Sequence, residues 1–115
     1  MQLSEAIEKG AQLRPQAFGA YFTGSTRTDA CSCAIGAAYE ATFKDMPLAH
    51  DGVVNDFERL AAHYPLLYDD NKIYCPECAG AEVKQDNLCN ILIHLNDDHR
   101  WTREEIAGYV RGFEQ

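Results

Sequence analysis

The sequence predicts a small α+β single domain that is mainly α-helical and carries one short β-hairpin. Its 115 residues, 46% of them apolar, are enough to build one compact core. Apolar residues recur at helical spacing in several segments of the chain. Residues 73–75 form a short apolar run that leads into a turn, as at the start of a hairpin. We therefore expect residues 1–115 to form one domain.

The beginning of the chain predicts a helix and then a short strand. The helix is expected to begin at Ser4, whose hydroxyl can accept hydrogen bonds from free backbone N–H groups. It is expected to end near Gly10. Residues 16–22 alternate large and small side chains and predict a strand, which Gly19 weakens.

The middle of the chain predicts two more helices. One spans residues 30–43 behind a cap at Asp29, and its small residues 36–38 would let another element pack closely. The other begins at Asp51 and ends before Pro65. Its apolar residues at helical spacing are Val54, Phe57, Ala61 and Tyr64.

The last part of the chain predicts the hairpin and two final helices. The strand at residues 73–75 enters a turn at 76–80, and Asp86 would cap the fourth helix. That helix has an apolar stripe formed by Leu88, Ile91, Leu92 and Leu95. Thr102 and Glu105 form a capping box that starts the last helix. The apolar face of the last helix is formed by Ile106, Tyr109, Val110 and Phe113.

Four residues in this part have the spacing of a zinc site. Cys75 and Cys78 are separated by two residues, fifteen residues follow, and His94 and His99 are separated by four. Zinc binds four such ligands in a tetrahedron, and filling all four positions with protein makes the ion structural. The pattern predicts a ββα-like subregion at residues 73–99, as in a Cys2His2 finger. The alternative is that the four residues are unrelated polar groups.

The two histidines converge on one ion only if the helix changes between them. Five residues apart, they would lie about 140° apart around a regular helix. Residues 96–98, Asn-Asp-Asp, have low helix propensity and can end the helix there. Glu77, Asp97 and Asp98 are candidates to orient the histidines from outside the ligand set. Trp101 is expected to pack the last helix onto the cysteine turn.

The three remaining cysteines allow several interpretations. Cys31 and Cys33 lie at the predicted start of the second helix, where a helix N-terminus can lower the pKa of a thiol and activate it for redox chemistry. They could equally be small core residues, or one could replace a proposed zinc ligand. Cys89 is expected to be buried without a role.

The charge distribution and the absence of catalytic motifs limit the classes of function that the sequence allows. Residues 1–50 carry five acids and four bases, whereas residues 51–115 carry thirteen acids and six bases. The net charge of the chain is −8. Such a surface repels phosphate backbones, which argues against nucleic-acid binding and favours a protein partner with a basic face. The charge could also serve solubility alone. No phosphate-binding glycine loop and no nucleophile motif is present, so we expect no enzyme.

The expected location is the cytosol. No segment has the ~20 apolar residues needed to cross a bilayer, and no basic start with an apolar run suggests a signal peptide. The functions considered are therefore an interaction or regulatory module with structural zinc, a nucleic-acid-binding zinc finger, and a thiol-dependent redox protein using Cys31 or Cys33.

Several segments resemble a group of small bacterial and phage proteins of unassigned activity. The segments are LSEAI at residues 3–7, RPQAFG at 14–19, CAIGAA at 33–38 and HLNDDHRWTREEIA at 94–107. Together they extend over nearly the whole chain, and the last is the most distinctive. The resemblance implies a complete protein and brings no biochemical activity with it.

Overall fold

A computed structural model describes residues 1–20, 22–23, 31–44, 53–80 and 82–114, with the backbone alone at 53–57. The predicted helix caps Asp29 and Asp51 lie outside these residues. The α+β class is confirmed. The Cα radius of gyration is 13.4 Å, which matches the value of about 13 Å expected for a compact chain of this length.

The described part contains helices and two short strand pairs. The helices are α1 (Leu3–Ala11), α2 (Ala34–Phe43), α3 (Val53–His63), α4 (Leu88–Asp97) and α5 (Arg103–Arg111), with a 3-10 helix at Pro65–Tyr68. The strands are β1 (Phe22–Thr23), β2 (Cys31–Ser32), β3 (Ile73–Tyr74) and β4 (Gln85–Asp86). Strand β1 pairs antiparallel with β2, and β3 pairs antiparallel with β4.

Helices α1 and α2 pack in direct backbone contact. A Cβ atom at Gly10 would lie 1.9 Å from the carbonyl oxygen of Ala37, so only glycine allows this approach. Ala37 and Ala38 are fully buried, which confirms that the small residues of α2 permit close packing. The core extends from this contact through α4 and α5.

Helices α1 and α5 are joined at the two ends of the chain. Helix α1 begins at Leu3, and Gln2 at its N-cap position makes no side-chain cap. The prediction that Ser4 caps α1 is therefore wrong. Instead, Ser4 donates from its backbone N–H and its hydroxyl to the Glu114 carboxylate, at 2.9 and 2.5 Å. A carboxylate near the end of the chain thus accepts hydrogen bonds from the free donors at the N-terminus of the first helix.

Helix α2 begins later than the sequence predicts. Ser32 pairs through its backbone with Pro15 and Ala17, which keeps residues 31–32 extended as β2. Cys33 then forms the N-cap, and its Sγ accepts a hydrogen bond from the N–H of Gly36. The predicted helix over 30–43 is correct only from Ala34 onwards, because these long-range contacts compete with local helix formation.

Most of the described residues of the predicted strand at 16–22 do not belong to a strand. Gln16 forms one isolated parallel bridge with Ser32, and regular pairing begins only at Phe22 in β1. Gly19 has a φ of +82°, outside the range of a strand. The third helix ends at His63, as Pro65 predicts, and the capping box of Thr102 and Glu105 at α5 is also confirmed.

A buried polar network connects α4 with the first half of the chain. Asn96 is fully buried, and its Oδ1 accepts hydrogen bonds from Gln16 and from the backbone of Ala34. Its Nδ2 donates to the carbonyl of Ala17 and to Asp97. Gln16 also donates to the carbonyl of Trp101. The end of α4 is therefore fixed to the rest of the fold by hydrogen bonds as well as by apolar contacts.

Within the described ranges, every helix is too short or too polar to cross a bilayer.

Candidate metal centre

The β3–β4 hairpin positions the two cysteines. The backbone N–H of Cys75 donates to the carbonyl of Lys84 at 2.8 Å, directly after the last paired residue of β3. Gly80 adopts a φ of +93° in the connecting segment, a conformation that favours glycine. Cys75 is 4% exposed, whereas Cys78 is half-buried. The predicted turn thus directs one sulfur inwards and leaves the other near solvent.

Helix α4 positions the two histidines by ending between them. The helix stops at Asp97, and the backbone N–H of His99 donates to the carbonyl of His94 at 3.4 Å. Arg100 has a φ of +58°, and the N–H of Trp101 donates to the carbonyl of Leu95. This tightened end confirms that the helix ends between the two histidines, although Asn96 and Asp97 still belong to α4. It places both imidazoles on the same side of the chain.

The start of α4 differs from the prediction by one residue. The N-cap is Asn87, whose side-chain oxygen accepts from the N–H of Asn90 at 2.8 Å. Asp86, the predicted cap, belongs to β4 and accepts from the N–H of Asn87 instead. Both residue types cap helices well, so sequence alone does not distinguish them.

The hairpin and the helix bring all four predicted residues together. The ligand atoms of Cys75, Cys78, His94 and His99 lie within 4.8 Å of one another. The Sγ of Cys78 is 3.2 Å from Nε2 of His94 and 3.5 Å from Nε2 of His99, and the two Nε2 atoms are 3.1 Å apart. A tetrahedron with typical zinc bond lengths has ligand separations of about 3.3 to 3.8 Å. The cluster could therefore hold a metal ion with little rearrangement.

One carboxylate orients a histidine of the cluster. Oδ2 of Asp98 lies 2.7 Å from Nδ1 of His94, so the Nε2 atom of that ring faces the cluster. Glu77 instead accepts a hydrogen bond from the indole N–H of Trp101 at 2.8 Å. Asp97 accepts from the N–H of Gly19. Of the three predicted orienting residues, Asp98 alone contacts a histidine of the cluster, whereas the others fix neighbouring segments.

Trp101 connects α5 to the cysteine turn, as predicted. Its ring packs edge-on against Tyr109 of α5, with ring centroids 6.1 Å apart. The hydrogen bond from its indole N–H to Glu77 joins it to the residue between the two cysteines.

The two cysteine thiols are in different electrostatic environments. Burial raises the pKa of Cys75, although the backbone N–H of Glu77 donates a hydrogen bond to its sulfur. Hydrogen bonds from the Lys84 backbone and then from His99 lower the pKa of Cys78. Donors directed at sulfur favour the thiolate form, which is the form that binds metal.

The other cysteines lie outside the cluster. Burial raises the pKa of Cys33 to about 11 and that of Cys89 to about 12. The position of Cys33 at the start of α2 therefore does not activate it, because burial outweighs the hydrogen bonds from the helix N-terminus. Cys31 is half-buried in β2. Cys89 is fully buried, as predicted.

Sequence reasoning missed the residues that fix the end of α4. Asn96 was expected to interrupt the helix, but it is the centre of a buried network that includes Gln16. Its long-range partners, Gln16, Ala17 and Ala34, lie 62 to 80 positions away, so the local pattern holds no signal for it.

Comparisons of the chain with protein-family models, with curated proteins and with solved structures found no match. The resemblance to small bacterial and phage proteins stays a prediction.

Proposed function

We propose that Cys75, Cys78, His94 and His99 bind one structural zinc ion and that the protein is a small interaction or regulatory module. The observation that carries this proposal is the convergence of the four ligand atoms within 4.8 Å. Two thiolates and two imidazoles suit zinc, whereas magnesium and calcium prefer oxygen ligands. The separations among the ligand atoms of Cys78, His94 and His99, 3.1 to 3.5 Å, are close to those around a tetrahedral ion.

A structural ion fits better than a catalytic one. Four protein ligands fill a tetrahedron and leave no position for water or substrate. Asp98 holds His94 in one ring orientation, as outer carboxylates commonly do at zinc sites. The ion would link the β3–β4 hairpin to the segment after α4. Trp101 and α5 follow directly after this segment. We therefore propose no enzymatic activity for this centre.

A protein partner is favoured over nucleic acid by the charges around the cluster. The carboxylates of Glu77, Asp86, Asp97 and Asp98 lie on the hairpin and at the end of α4. A phosphate backbone approaching this side would be repelled. Tyr74 is 63% exposed on the same hairpin and offers an aromatic contact of the kind common in protein interfaces.

We also propose that the protein lies in a reducing compartment such as the cytosol. The cysteine ligands must stay reduced to bind zinc, and intracellular thiols are kept reduced. The five cysteines are free thiols in the structure.

Elemental mass spectrometry of protein purified under reducing conditions tests the zinc site. We expect one zinc per chain, as four-ligand structural sites bind, and its loss in the Cys75→Ser and His99→Ala variants. Cys31→Ser and His63→Ala are matched controls outside the cluster and should keep the metal. A stable wild-type protein without metal, and unable to take up zinc, would refute the proposal.

A binding experiment with labelled duplex DNA tests the choice of partner. We expect no binding by fluorescence anisotropy at physiological salt, because the acidic groups repel phosphate. Tight binding that weakens steeply with added salt would instead favour a nucleic-acid-binding finger.

A further inference from the structure

The two cysteines of the cluster differ in their access to solvent. Cys75 is 4% exposed and lies behind the turn, whereas Cys78 is half-buried at its surface. Two residues separate them in the chain, and their sulfur atoms lie within 4.8 Å of each other. An accessible thiolate with a second thiol directly behind it is the arrangement of a redox-sensing pair.

We propose that hydrogen peroxide oxidises Cys75 and Cys78 to a disulfide and thereby releases the metal ion. The inference rests on the proposed function, because it assigns a form of regulation to the zinc centre. Peroxide is small enough to reach Cys78, which is half-buried at the surface of the turn.

The reaction takes two steps that balance in atoms and electrons. The Cys78 thiolate attacks one oxygen of hydrogen peroxide, so that an S–O bond forms, the O–O bond breaks and hydroxide leaves. The Cys75 thiolate then attacks the Cys78 sulfur, so that the S–S bond forms and the S–O bond breaks. The sulfenic oxygen departs as a second hydroxide. Each cysteine sulfur has lost one electron, and the two oxygens of the peroxide have been reduced.

Loss of both thiolates would remove half of the ligand set. His94 and His99 alone would bind zinc weakly, so the ion would dissociate. The β3–β4 pair consists of only two residue pairs, Ile73 with Asp86 and Tyr74 with Gln85. Such a short hairpin is marginal without the ion. Oxidation would therefore loosen the acidic hairpin that the proposed partner contacts.

Two of the other three thiols are poor competitors for the oxidant. Cys33 and Cys89 are buried, and their pKa values of about 11 and about 12 keep them protonated at neutral pH. Thiols react with peroxide mainly as thiolates. Cys31 is half-buried like Cys78 but lies in β2, outside the cluster. It therefore provides a matched control for accessibility.

The experiment uses reduced wild-type protein loaded with zinc and titrated with hydrogen peroxide. A chromophoric zinc indicator measures release, and peptide mapping after alkylation locates the oxidised cysteines. We expect full release of the bound zinc in step with a Cys75–Cys78 disulfide, and recovery of zinc binding after dithiothreitol. The Cys31→Ser variant should behave as the wild type.

Two results would overturn this inference without affecting the zinc site. Zinc could stay bound at peroxide concentrations that fully oxidise free cysteine. Alternatively, zinc could leave with Cys78 converted to the sulfinic acid and no disulfide present. Failure of the reduced protein to bind zinc before any peroxide is added would refute both this inference and the proposed function.

Discussion

The β3–β4 hairpin and the α1–α2 pair depend on different physical interactions. The hairpin has two residues in each strand and contributes one buried residue of the candidate metal cluster, Cys75. Helices α1 and α2 meet at Gly10 and Ala37 and bury their shared face. The first region has too little apolar burial to be stable alone, whereas the second is stabilised by close packing. A bound ion can stabilise a region that lacks an apolar core only where a few ligands are enough to hold the chain in place.

Removal of the proposed zinc ion should produce the largest effect and should separate the two regions. Structural zinc contributes about 10 kcal/mol or more of apparent binding free energy, so a strong chelator should lower the melting temperature markedly. We expect the amide of Cys75 to lose protection in hydrogen exchange before the amides of α1 do. Simultaneous loss of protection in both regions would show that they unfold as one unit.

Gly10→Ala should destabilise the α1–α2 pair. The added methyl would overlap the backbone of Ala37, so α1 and α2 would have to separate. We expect a loss of about 3 kcal/mol in the free energy of unfolding, measured by urea denaturation, with the zinc content unchanged. Gly108→Ala is the control, since nothing lies within 4 Å of its added Cβ. It should gain about 0.5–1 kcal/mol, because alanine is the better helix former.

Asn96→Ala should weaken both the α1–α2 pair and the metal cluster at the β3–β4 hairpin. It leaves the N–H of Ala34 and the carbonyl of Ala17 without their buried partner. We expect the protein to lose about 2–3 kcal/mol of stability, because buried unpaired polar groups are costly. Zinc affinity should also fall, since the end of α4 is less well fixed. The exposed Asn90→Ala is the control, and unchanged zinc affinity in Asn96→Ala would contradict this connection.

Asp98→Ala should weaken the metal centre without affecting the helices. Its carboxylate orients His94 through the 2.7 Å contact with Nδ1. Loss of such outer contacts typically lowers metal affinity about 10- to 100-fold. Competition with a chelator of known zinc affinity measures the change. Asp70→Ala removes the same charge at an exposed position and should leave zinc affinity unaltered.

Glu114→Ala should give the smallest effect and should be confined to the helices. The substitution leaves the backbone N–H of Ser4 and its hydroxyl without their carboxylate partner at the start of α1. We expect a loss of about 1 kcal/mol, typical of a removed helix cap, in urea denaturation. Zinc content should not change. A stability equal to that of the exposed control Glu58→Ala would show that this cap contributes nothing.

The sequence predicted the candidate metal centre better than it predicted the helical packing. The positions of Cys75 and Cys78 on a hairpin, and the end of the helix between His94 and His99, followed from spacing and local propensity. The errors at Ser4 and at the start of α2 have one cause. In both places a partner distant in sequence, Glu114 or the segment at residues 15–17, satisfies the backbone groups.

By itself, the sequence determined the features that short-range geometry controls. Two cysteines on one turn, two histidines around a helix end, and the capping box of Thr102 each require only neighbours within a few residues. The small residues of α2 predicted a close approach, but the tertiary structure decided that Gly10 makes it, against Ala37. It alone decided the network of Asn96 and the cap from Glu114. These contacts join residues roughly 30 to 110 positions apart. They depend on how whole helices pack, and no local pattern in the sequence encodes that.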